Sequence, residues 1–192
     1  GERDGIMNLP SWIVAAVLAV ALATPATAKV FLARSEAIKA ALPTADRIET
    51  RDVILRDEQK AAIEKGSGMP MESSLVTIYS GWSGGRLVGY ALFDTHTVRT
   101  QPETFVVSLE PGGHVSGLFV CAFYEPQDYL PGGRWLGQFK GKEPTHPPRV
   151  GTDIVSITGA TLTSRAVAGG VRRALAIYAT CLGGNTSQRV GE

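Results

Sequence analysis

The chain has 192 residues, of which 44% are hydrophobic and 19% charged, and its formal net charge is +1. These values are typical of a globular protein and exclude a largely disordered chain. Because the lysines and arginines are scattered along a nearly neutral chain, nucleic-acid binding has no electrostatic support. The length accommodates one domain together with a targeting segment and a short tail.

The beginning of the chain predicts an export signal. Trp12 to Ala23 form an unbroken apolar run, which is short beside the roughly twenty residues that a transmembrane helix needs. Pro25 and the small-x-small sequence Ala26-Thr27-Ala28 follow, as a signal peptidase requires. We therefore expect residues 1–28 to be a signal peptide, with an uncleaved membrane anchor as the alternative. Either outcome predicts an extracytoplasmic (periplasmic) location for the rest of the chain.

The first elements after this segment are two short helices and a strand. Both helices start near a residue that favours N-caps and end near proline or glycine, which interrupt helices. The helices are SEAIKAALP, capped by Ser35, and RDEQKAAIEKGSG, capped by Asp57 and ended by Gly66 and Gly68, and the strand is Ile48 to Leu55.

The centre of the chain has the composition of β-strands. SLVTIYS and RLVGYALFD are joined by GWSGG, and ETFVVSLE and HVSGLFVCAFYE are joined by PGG. Strands connected by tight glycine-rich turns predict an antiparallel sheet. Because the last strand is apolar on both faces, we expect helices to cover much of the sheet. The predicted fold class is therefore α+β, an antiparallel β-sheet packed by helices, with an irregular proline-rich segment at 126–150.

The two cysteines leave the oxidation state open. An exported protein can join Cys121 and Cys181 in a disulfide. Cys121, however, lies in the apolar run GLFVCAFY, where a buried free thiol is the more ordinary state. No Cys-x-x-Cys or His-x-x-x-His spacing occurs in the sequence, so neither a haem attachment site nor a zinc site is encoded.

The stretch DIVSITGATLTSRAVAGGVRRALAIY, residues 153–178, carries the main functional signal. Apolar residues at three- and four-residue spacing predict an amphipathic helix that begins between Thr161 and Ser164. A helix N-terminus presents unpaired N–H groups and the positive end of the dipole, which favour an anion such as phosphate. Gly159 and Ala160 add little bulk, so a ligand can approach the backbone. These features alone are also consistent with a second interpretation, in which the hydroxyl groups only cap the helix and no ligand binds.

The sequence TGATLTSRAV, residues 158–167, resembles the flavinylation motif of FMN-binding domains. Such domains occur in the flavoprotein subunits of Rnf-type complexes and of sodium-pumping NADH:quinone reductases. VGYALFDTHTVRTQPETFVVSLEPGGHV and AFYEPQDYL also resemble a small, stand-alone exported branch of this family. The resemblance implies FMN as the cofactor, esterified through its phosphate to Thr161 by a separate flavin transferase. It implies cofactor-binding roles for the rest of the motif, namely Thr158, Gly159, Ala160, Thr163 and Ser164.

One position departs from the family motif. The family usually places an aspartate, linked to recognition by the transferase, three residues before the Ser or Thr that precedes the glycine. Val155 occupies that position here, and the nearest acid is Asp153, two residues earlier. Either Asp153 substitutes for the missing aspartate, or flavinylation is inefficient or lost.

The run FDTHTVRT places further polar side chains near a strand end. Strand alternation predicts Asp94, His96 and Val98 on one face of the sheet, with Thr97 and Arg99 on the other. One interpretation is that His96, Thr97 or Arg99 contacts the flavin or its phosphate. The alternative is a polar strand end whose groups are satisfied within the protein. For the aromatic residues of the following segment, Tyr129 and Trp135, packing onto the sheet is favoured over stacking on a flavin.

The resemblance implies an FMN-binding domain at 29–182, followed by a flexible tail at 183–192. Its implied function is electron transfer between a membrane-associated redox chain and an extracytoplasmic partner, as a carrier rather than a free-standing catalyst. Two alternatives remain open at this stage. One is a binding module of the same fold without flavin. The other is an NAD(P)H-dependent flavin reductase with noncovalent FMN, for which the sequence has no dinucleotide fingerprint.

Overall fold

A computed structural model describes residues 29–183, with side chains from Phe31 onward. Six strands form one antiparallel sheet in the order β1-β6-β5-β4-β3-β2. The strands are β1 (Lys29–Val30), β2 (Arg47–Ile54), β3 (Leu75–Ser83), β4 (Arg86–Val98), β5 (Gln101–Leu109) and β6 (Val115–Phe123).

Four α-helical segments accompany the sheet and confirm the α+β fold. They are α1 (Arg34–Ala41), α2 (Asp57–Ser67), the single turn α3 (Gly133–Leu136) and α4 (Thr161–Cys181). The segment at 126–150, predicted to be irregular, contains α3 and two 3-10 turns, Gln127–Tyr129 and Gly137–Phe139.

Both predicted N-caps of the short helices are wrong. Helix α1 is capped at Ala33 rather than Ser35, and helix α2 at Arg56 rather than Asp57. In each helix the side chain three residues after the cap accepts the N–H of the cap residue, from a glutamate in α1 and a glutamine in α2. This half of a capping box satisfies a free donor without a hydroxyl or carboxylate at the cap itself.

Glycines end α2 and form the two predicted hairpins. Gly66 lies within α2, and the helix stops before Gly68, whose φ of +67° is in the left-handed region that favours glycine. The β3–β4 hairpin turns at Gly84 and Gly85, and the β5–β6 hairpin turns through Gly113. The sequence therefore located both hairpins.

Helices cover both faces of the sheet, as expected. Phe105 and Val106 are adjacent on β5, point to opposite faces and are both buried. Phe105 belongs to the larger core under α2 and α4, and Val106 belongs to the smaller core under α1. The apolar positions that predicted α4 are all buried in the larger core: Val167, Val171, Ala174, Leu175 and Tyr178.

Cys121 and Cys181 are both free thiols. Cys121 lies in the core under α1, whereas Cys181 packs against the core under α4. Because the sheet separates these two cores, the disulfide left open by the sequence does not form. Burial raises the pKa of the Cys121 thiol to about 11, so this thiol stays protonated and poorly reactive at neutral pH.

Two glycines allow helix α4 to approach β4 and the segment after α2 closely. A Cβ atom on Gly169 would overlap Met69 Sδ, and one on Gly170 would overlap the carboxylate of Asp94. The Arg173 guanidinium, farther along the helix, pairs with the same carboxylate and donates to the Pro70 carbonyl at 3.3 Å. The glycines therefore bring the helix close enough for Arg173 to pair with Asp94, and this ion pair fixes α4 on β4.

Within residues 29–183, no helix is long and apolar enough to cross a membrane. The predicted signal segment and, apart from Gly183, the predicted tail lie outside the described residues. Both stay predictions.

Substituting Gly170→Ala tests the close approach. Alanine favours helix interiors by about 1 kcal/mol over glycine, but the added methyl overlaps the Asp94 carboxylate. We expect a net loss of about 1–3 kcal/mol in the free energy of unfolding, as for an overpacked core, measured by urea denaturation. Gly133→Ala, which has open space around its Cβ position, is the control and should not lose stability. An unchanged or higher stability of Gly170→Ala would contradict the close approach.

Candidate functional site

The N-terminus of α4 is open. The helix begins at Thr161, where the sequence predicted, but its N-cap is Ala160 and no side chain caps it. The first-turn N–H groups of Thr161, Leu162 and Thr163 therefore have no side-chain acceptor within the part of the chain that the structure describes. The side chains of Thr158 and Thr161 are exposed. The helix end therefore combines backbone donors that lack side-chain acceptors with two exposed threonines.

Ser164 fixes the loop that precedes the helix. Its side chain is fully buried; the hydroxyl oxygen accepts the N–H of Ile157 at 2.9 Å and donates to the Ala160 carbonyl at 3.0 Å. The N–H of Ala160 also donates to the Ile157 carbonyl at 3.0 Å. These bonds close the loop onto the helix and leave Gly159 at its tip, with a φ of +77° and no atom within 4 Å of its Cβ position. The backbone at Gly159 is therefore accessible to a ligand.

Thr163 supplies an unusual feature of this helix end. Its side chain is 1% exposed, and its hydroxyl has no hydrogen-bond partner among the described residues. Such a buried orphan hydroxyl costs stability unless another group satisfies it. Residues 158–165 carry hydroxyl groups and the Arg165 guanidinium but no carboxylate. These residues fit an anionic group such as the phosphate of FMN.

The Asp153 carboxylate already has two hydrogen-bond donors. It accepts hydrogen bonds from the Lys142 ammonium group at 2.7 Å and from the backbone N–H of Arg149 at 2.6 Å. Although partial burial opposes the effect, these two donors lower the pKa of Asp153 below its ordinary value. To act in place of the family's aspartate, Asp153 would have to give up both contacts.

Val155 is held by its backbone, and its side chain is free. Its N–H donates to Gln138 Oε1 at 2.8 Å, and its carbonyl accepts the indole N–H of Trp135 at 2.5 Å. The Val155 side chain is 73% exposed. Trp135 also packs edge-on against Phe139, with ring centroids 5.2 Å apart, and against the larger core. It therefore packs the segment at 126–150 onto the domain, as the sequence favoured. A carboxylate at position 155 would point into solvent, where another protein can reach it.

The end of β4 carries a buried ionic network. Asp94, His96 and Val98 share the inner face as predicted, and Thr97 lies on the outer face. His96 Nδ1 lies 2.6 Å from an Asp94 carboxylate oxygen, and the other oxygen pairs with Arg173. A second carboxylate, that of Glu103 on the neighbouring strand β5, also lies next to His96.

Glu103 lies directly opposite His96 in the β4–β5 register. It is completely buried, and neither carboxylate oxygen has a hydrogen-bond partner among the described residues. The nearest cationic atom is His96 Nε2, at 3.5 Å. Protonated His96 therefore balances the buried charge, because two carboxylates, Asp94 and Glu103, then face two cations, His96 and Arg173. The sequence analysis missed Glu103 and Arg173, whose roles depend on pairing across the sheet and between helix and strand.

The protonation of His96 follows from these neighbours. Burial alone lowers the pKa of an imidazole, but here the hydrogen bond to Asp94 and the proximity of Glu103 outweigh it and raise the pKa to about 9. The ring also stacks on Phe105 at a centroid distance of 5.7 Å. His96 is therefore a fixed cation at neutral pH.

Arg99 is separated from this network. It follows β4 with a φ of +52°, pairs with Glu125 at 3.1 Å and covers the ring of Tyr129 at 4.7 Å. These contacts tie the β4–β5 turn to the segment after β6. They give Arg99 and Tyr129 a structural role in the described domain, with 40% of the Arg99 side chain still exposed.

The two groups of predicted site residues lie at the same end of the domain without touching. Helix α4 runs antiparallel to β4, because Tyr90 packs on Tyr178 and Asp94 pairs with Arg173. The end of β4 therefore points toward the start of α4. Within residues 31–183, no hydrogen bond or ion pair joins His96, Thr97 or Arg99 to residues 158–164. The cofactor contacts predicted for these three residues stay predictions.

His96 and Thr97 line a cleft of about 470 Å³. It opens where β3 and β4 separate, since their pairing stops at Tyr79 and Ala91 while β4 continues to Val98. Its volume is in the range of ligand sites. Both predicted residues therefore border one cavity, although only 6% of the His96 side chain is exposed.

Comparison with known proteins links this site to a family. The model of the FMN-binding domain matches residues 100–176, which include the motif at 158–167. The chain is 32% identical over 158 residues to one component of the Na(+)-translocating ferredoxin:NAD(+) oxidoreductase complex of Acetobacterium woodii, covering 71% of this chain and 70% of that protein. The fold resembles the crystal structure of Shewanella oneidensis NqrC, with a TM-score of 0.52 at 15% identity over 74% of this chain and 83% of that one.

The pH dependence of stability tests the His96 network. The pKa of His96 in the folded protein, about 9, is above its ordinary value of 6.5. Protonated His96 therefore stabilises the folded state fully below about pH 6.5, and this contribution is lost as the pH rises through 9. We expect the wild type to lose roughly 3 kcal/mol over this interval relative to His96→Asn, measured by urea denaturation. NMR titration of the imidazole should give a midpoint near 9, and a midpoint near 6.5 would contradict the network.

Proposed function

The chain belongs to the FMN-binding domain family, and from this premise we propose that it is an exported electron-transfer flavoprotein with FMN attached through a phosphoester to Thr161. Family membership indicates FMN as the cofactor. The covalent bond, the extracytoplasmic location and the electron-transfer role are the proposal. The observation that carries it is an exposed threonine hydroxyl on the first residue of an uncapped helix, at the position where the family motif places the acceptor.

The residues around Thr161 support this role chemically. Open N–H groups and the positive end of the α4 dipole favour a phosphate at the helix N-terminus. Gly159 allows close approach to the backbone. Because a separate transferase forms the ester, Thr161 needs no neighbouring base; it is an acceptor and not a catalytic nucleophile.

The bound FMN supplies reversible redox chemistry, and the protein positions its ring and sets its environment. We propose that His96, Thr97 and Arg99 form the flavin contacts on the β4 side. His96 and Thr97 line the cleft of about 470 Å³ at the end of β4. Among the three, Arg99 already has partners in Glu125 and Tyr129.

The proposed redox partner is a membrane-associated electron-transfer chain. The related protein of Acetobacterium woodii belongs, by its name, to a ferredoxin:NAD(+) oxidoreductase complex that translocates sodium ions. The apolar run at 12–23 and the following small-x-small sequence support export of the domain to the outer side of that membrane. A flavin transferase is the second proposed partner, because the flavinylation motif at 158–167 implies attachment by a separate enzyme.

A flavin-free binding module of the same fold is the second candidate. Its support is Val155, which replaces the aspartate of the motif, together with the engagement of Asp153 by Lys142 and Arg149. Both observations concern only recognition by the transferase. The motif threonine, Thr161, and the uncapped start of α4 match what the flavinylated carrier requires. We therefore place the flavinylated carrier first.

Intact mass tests the attachment site. The full chain, co-expressed with a flavin transferase, should gain the mass of FMN less one water. Thr161→Ala should gain nothing, because the acceptor oxygen is absent, and Thr161→Ser should load because it keeps a hydroxyl. Thr152→Ala, an exposed threonine before the motif, is the control and should load like the wild type. Loading of Thr161→Ala, or no loading of any variant, would contradict attachment at Thr161.

Restoring the acid tests the importance of Val155. Because the Val155 side chain is exposed, Val155→Asp should fold normally and present a carboxylate where the family motif has one. We expect the flavinylated fraction to rise at least severalfold over the wild type under limiting transferase, measured by mass and by flavin absorbance. Val155→Asn is the matched control for size and polarity. An equal increase in both variants would show that the negative charge has no part in recognition.

A further inference from the structure

A basic cleft lies on the α2 side of helix α4. The side chains of Lys65, Arg149, Arg165 and Arg172 line it, together with the end of α2 and residues 147–150. Its volume is about 450 Å³, within the range of small-molecule sites. None of the residues that line it carries a carboxylate. The cleft therefore collects four cationic side chains without an acid among them.

Arg172 is fixed in place before any ligand arrives. Its Nε donates to the Ser67 carbonyl at 2.6 Å, and its Nη1 donates to the Pro148 carbonyl at 3.1 Å. These bonds join α4 to the end of α2 and to the segment at 147–150. Burial, followed by repulsion from Arg149, lowers the pKa of the Arg172 guanidinium. A positive charge is thus held rigidly against another positive charge.

The four cations of the cleft have no counterion among residues 31–183. No salt bridge of the described chain includes Lys65, Arg149, Arg165 or Arg172. Elsewhere, the partly exposed Lys142 and Arg99 are each paired with a carboxylate. The absence of acids is therefore a local feature of the cleft, where a bound anion would offset the repulsion.

We propose that this cleft is a second anion site, which binds the phosphoryl group of a nucleotide-sized ligand or lipid headgroup. Guanidinium groups match the oxygens of phosphate in bidentate geometry, and a dianionic phosphoryl group neutralises more of the four positive charges than a single carboxylate does. Arg165 lies one helical turn after Thr161, on the same helix face. The cleft is nevertheless separate from the flavin anchor, because none of residues 158–164 lines it.

Pyrophosphate is the first probe, added to the full chain without flavin at constant ionic strength. We expect saturable binding by calorimetry and a rise in Tm that chloride at the same ionic strength does not produce. Lys65→Gln combined with Arg149→Gln should weaken binding at least about tenfold, since both lost charges face the cleft. Lys39→Gln combined with Arg86→Gln removes the same two residue types from exposed sites elsewhere and should bind like the wild type.

The outcomes separate this site from the helix end. Binding that persists in the Lys65/Arg149 double variant, or that falls equally in the control variant, would overturn the proposal. Thr161→Ala should keep pyrophosphate binding, so a failed flavin assay leaves the cleft testable by itself. AMP and vesicles containing phosphatidate, compared in the same variants, distinguish a soluble nucleotide from a lipid headgroup as the source of the phosphoryl group.

Discussion

The approach of helix α4 to strand β4 is the contact on which the rest of the structure depends. Gly169 and Gly170 allow the helix to approach Met69 and Asp94, and Arg173 pairs with Asp94 from the next turn. A helix fixed at this point has a defined rotation about its axis. Its first turn is then presented at the end of β4, and its polar residues are divided between two clefts.

The abundance of hydroxyl groups at the start of α4 has a structural explanation. Ser164 is used within the protein, since it holds the loop from Ile157 to Ala160 against the helix. Thr163 is buried without a partner among the described residues, whereas Thr161 is exposed. A helix cap requires one such group, and the others differ in burial and bonding. Neighbouring hydroxyls in one short motif thus differ in role: Ser164 holds the loop, Thr163 is buried and Thr161 faces solvent.

Charge is balanced inside the protein and unbalanced in the basic cleft. Within the core, Asp94 and Glu103 face His96 and Arg173, and desolvation makes any departure from this balance costly. In the basic cleft, Arg149 and Arg172 repel each other because no carboxylate lies between them. The first arrangement stabilises the fold around β4. The second favours an anionic ligand, because no carboxylate of residues 31–183 pairs with its cations.

The sequence by itself determined the elements whose signals are local. The spacing of apolar residues predicted α4, and the glycine-rich turns predicted the hairpins, because periodicity and turn conformation depend on neighbouring residues. The motif that ends at Val167 likewise identified the family, its cofactor and a candidate acceptor in Thr161. The caps of α1 and α2 were misplaced because a side chain three residues later satisfied the free N–H instead.

Only the tertiary structure decided which charged groups meet. Glu103 lies within an ordinary apolar strand in the sequence, and its partnership with His96 follows from the register between β4 and β5. The basic cleft joins Lys65, Arg149 and Arg172 from three segments that are far apart along the chain. The sheet also separates Cys121 from Cys181, which no spacing could reveal. Electrostatic effects depend on distance and burial in space, and these are set by how helices and strands pack rather than by residue order.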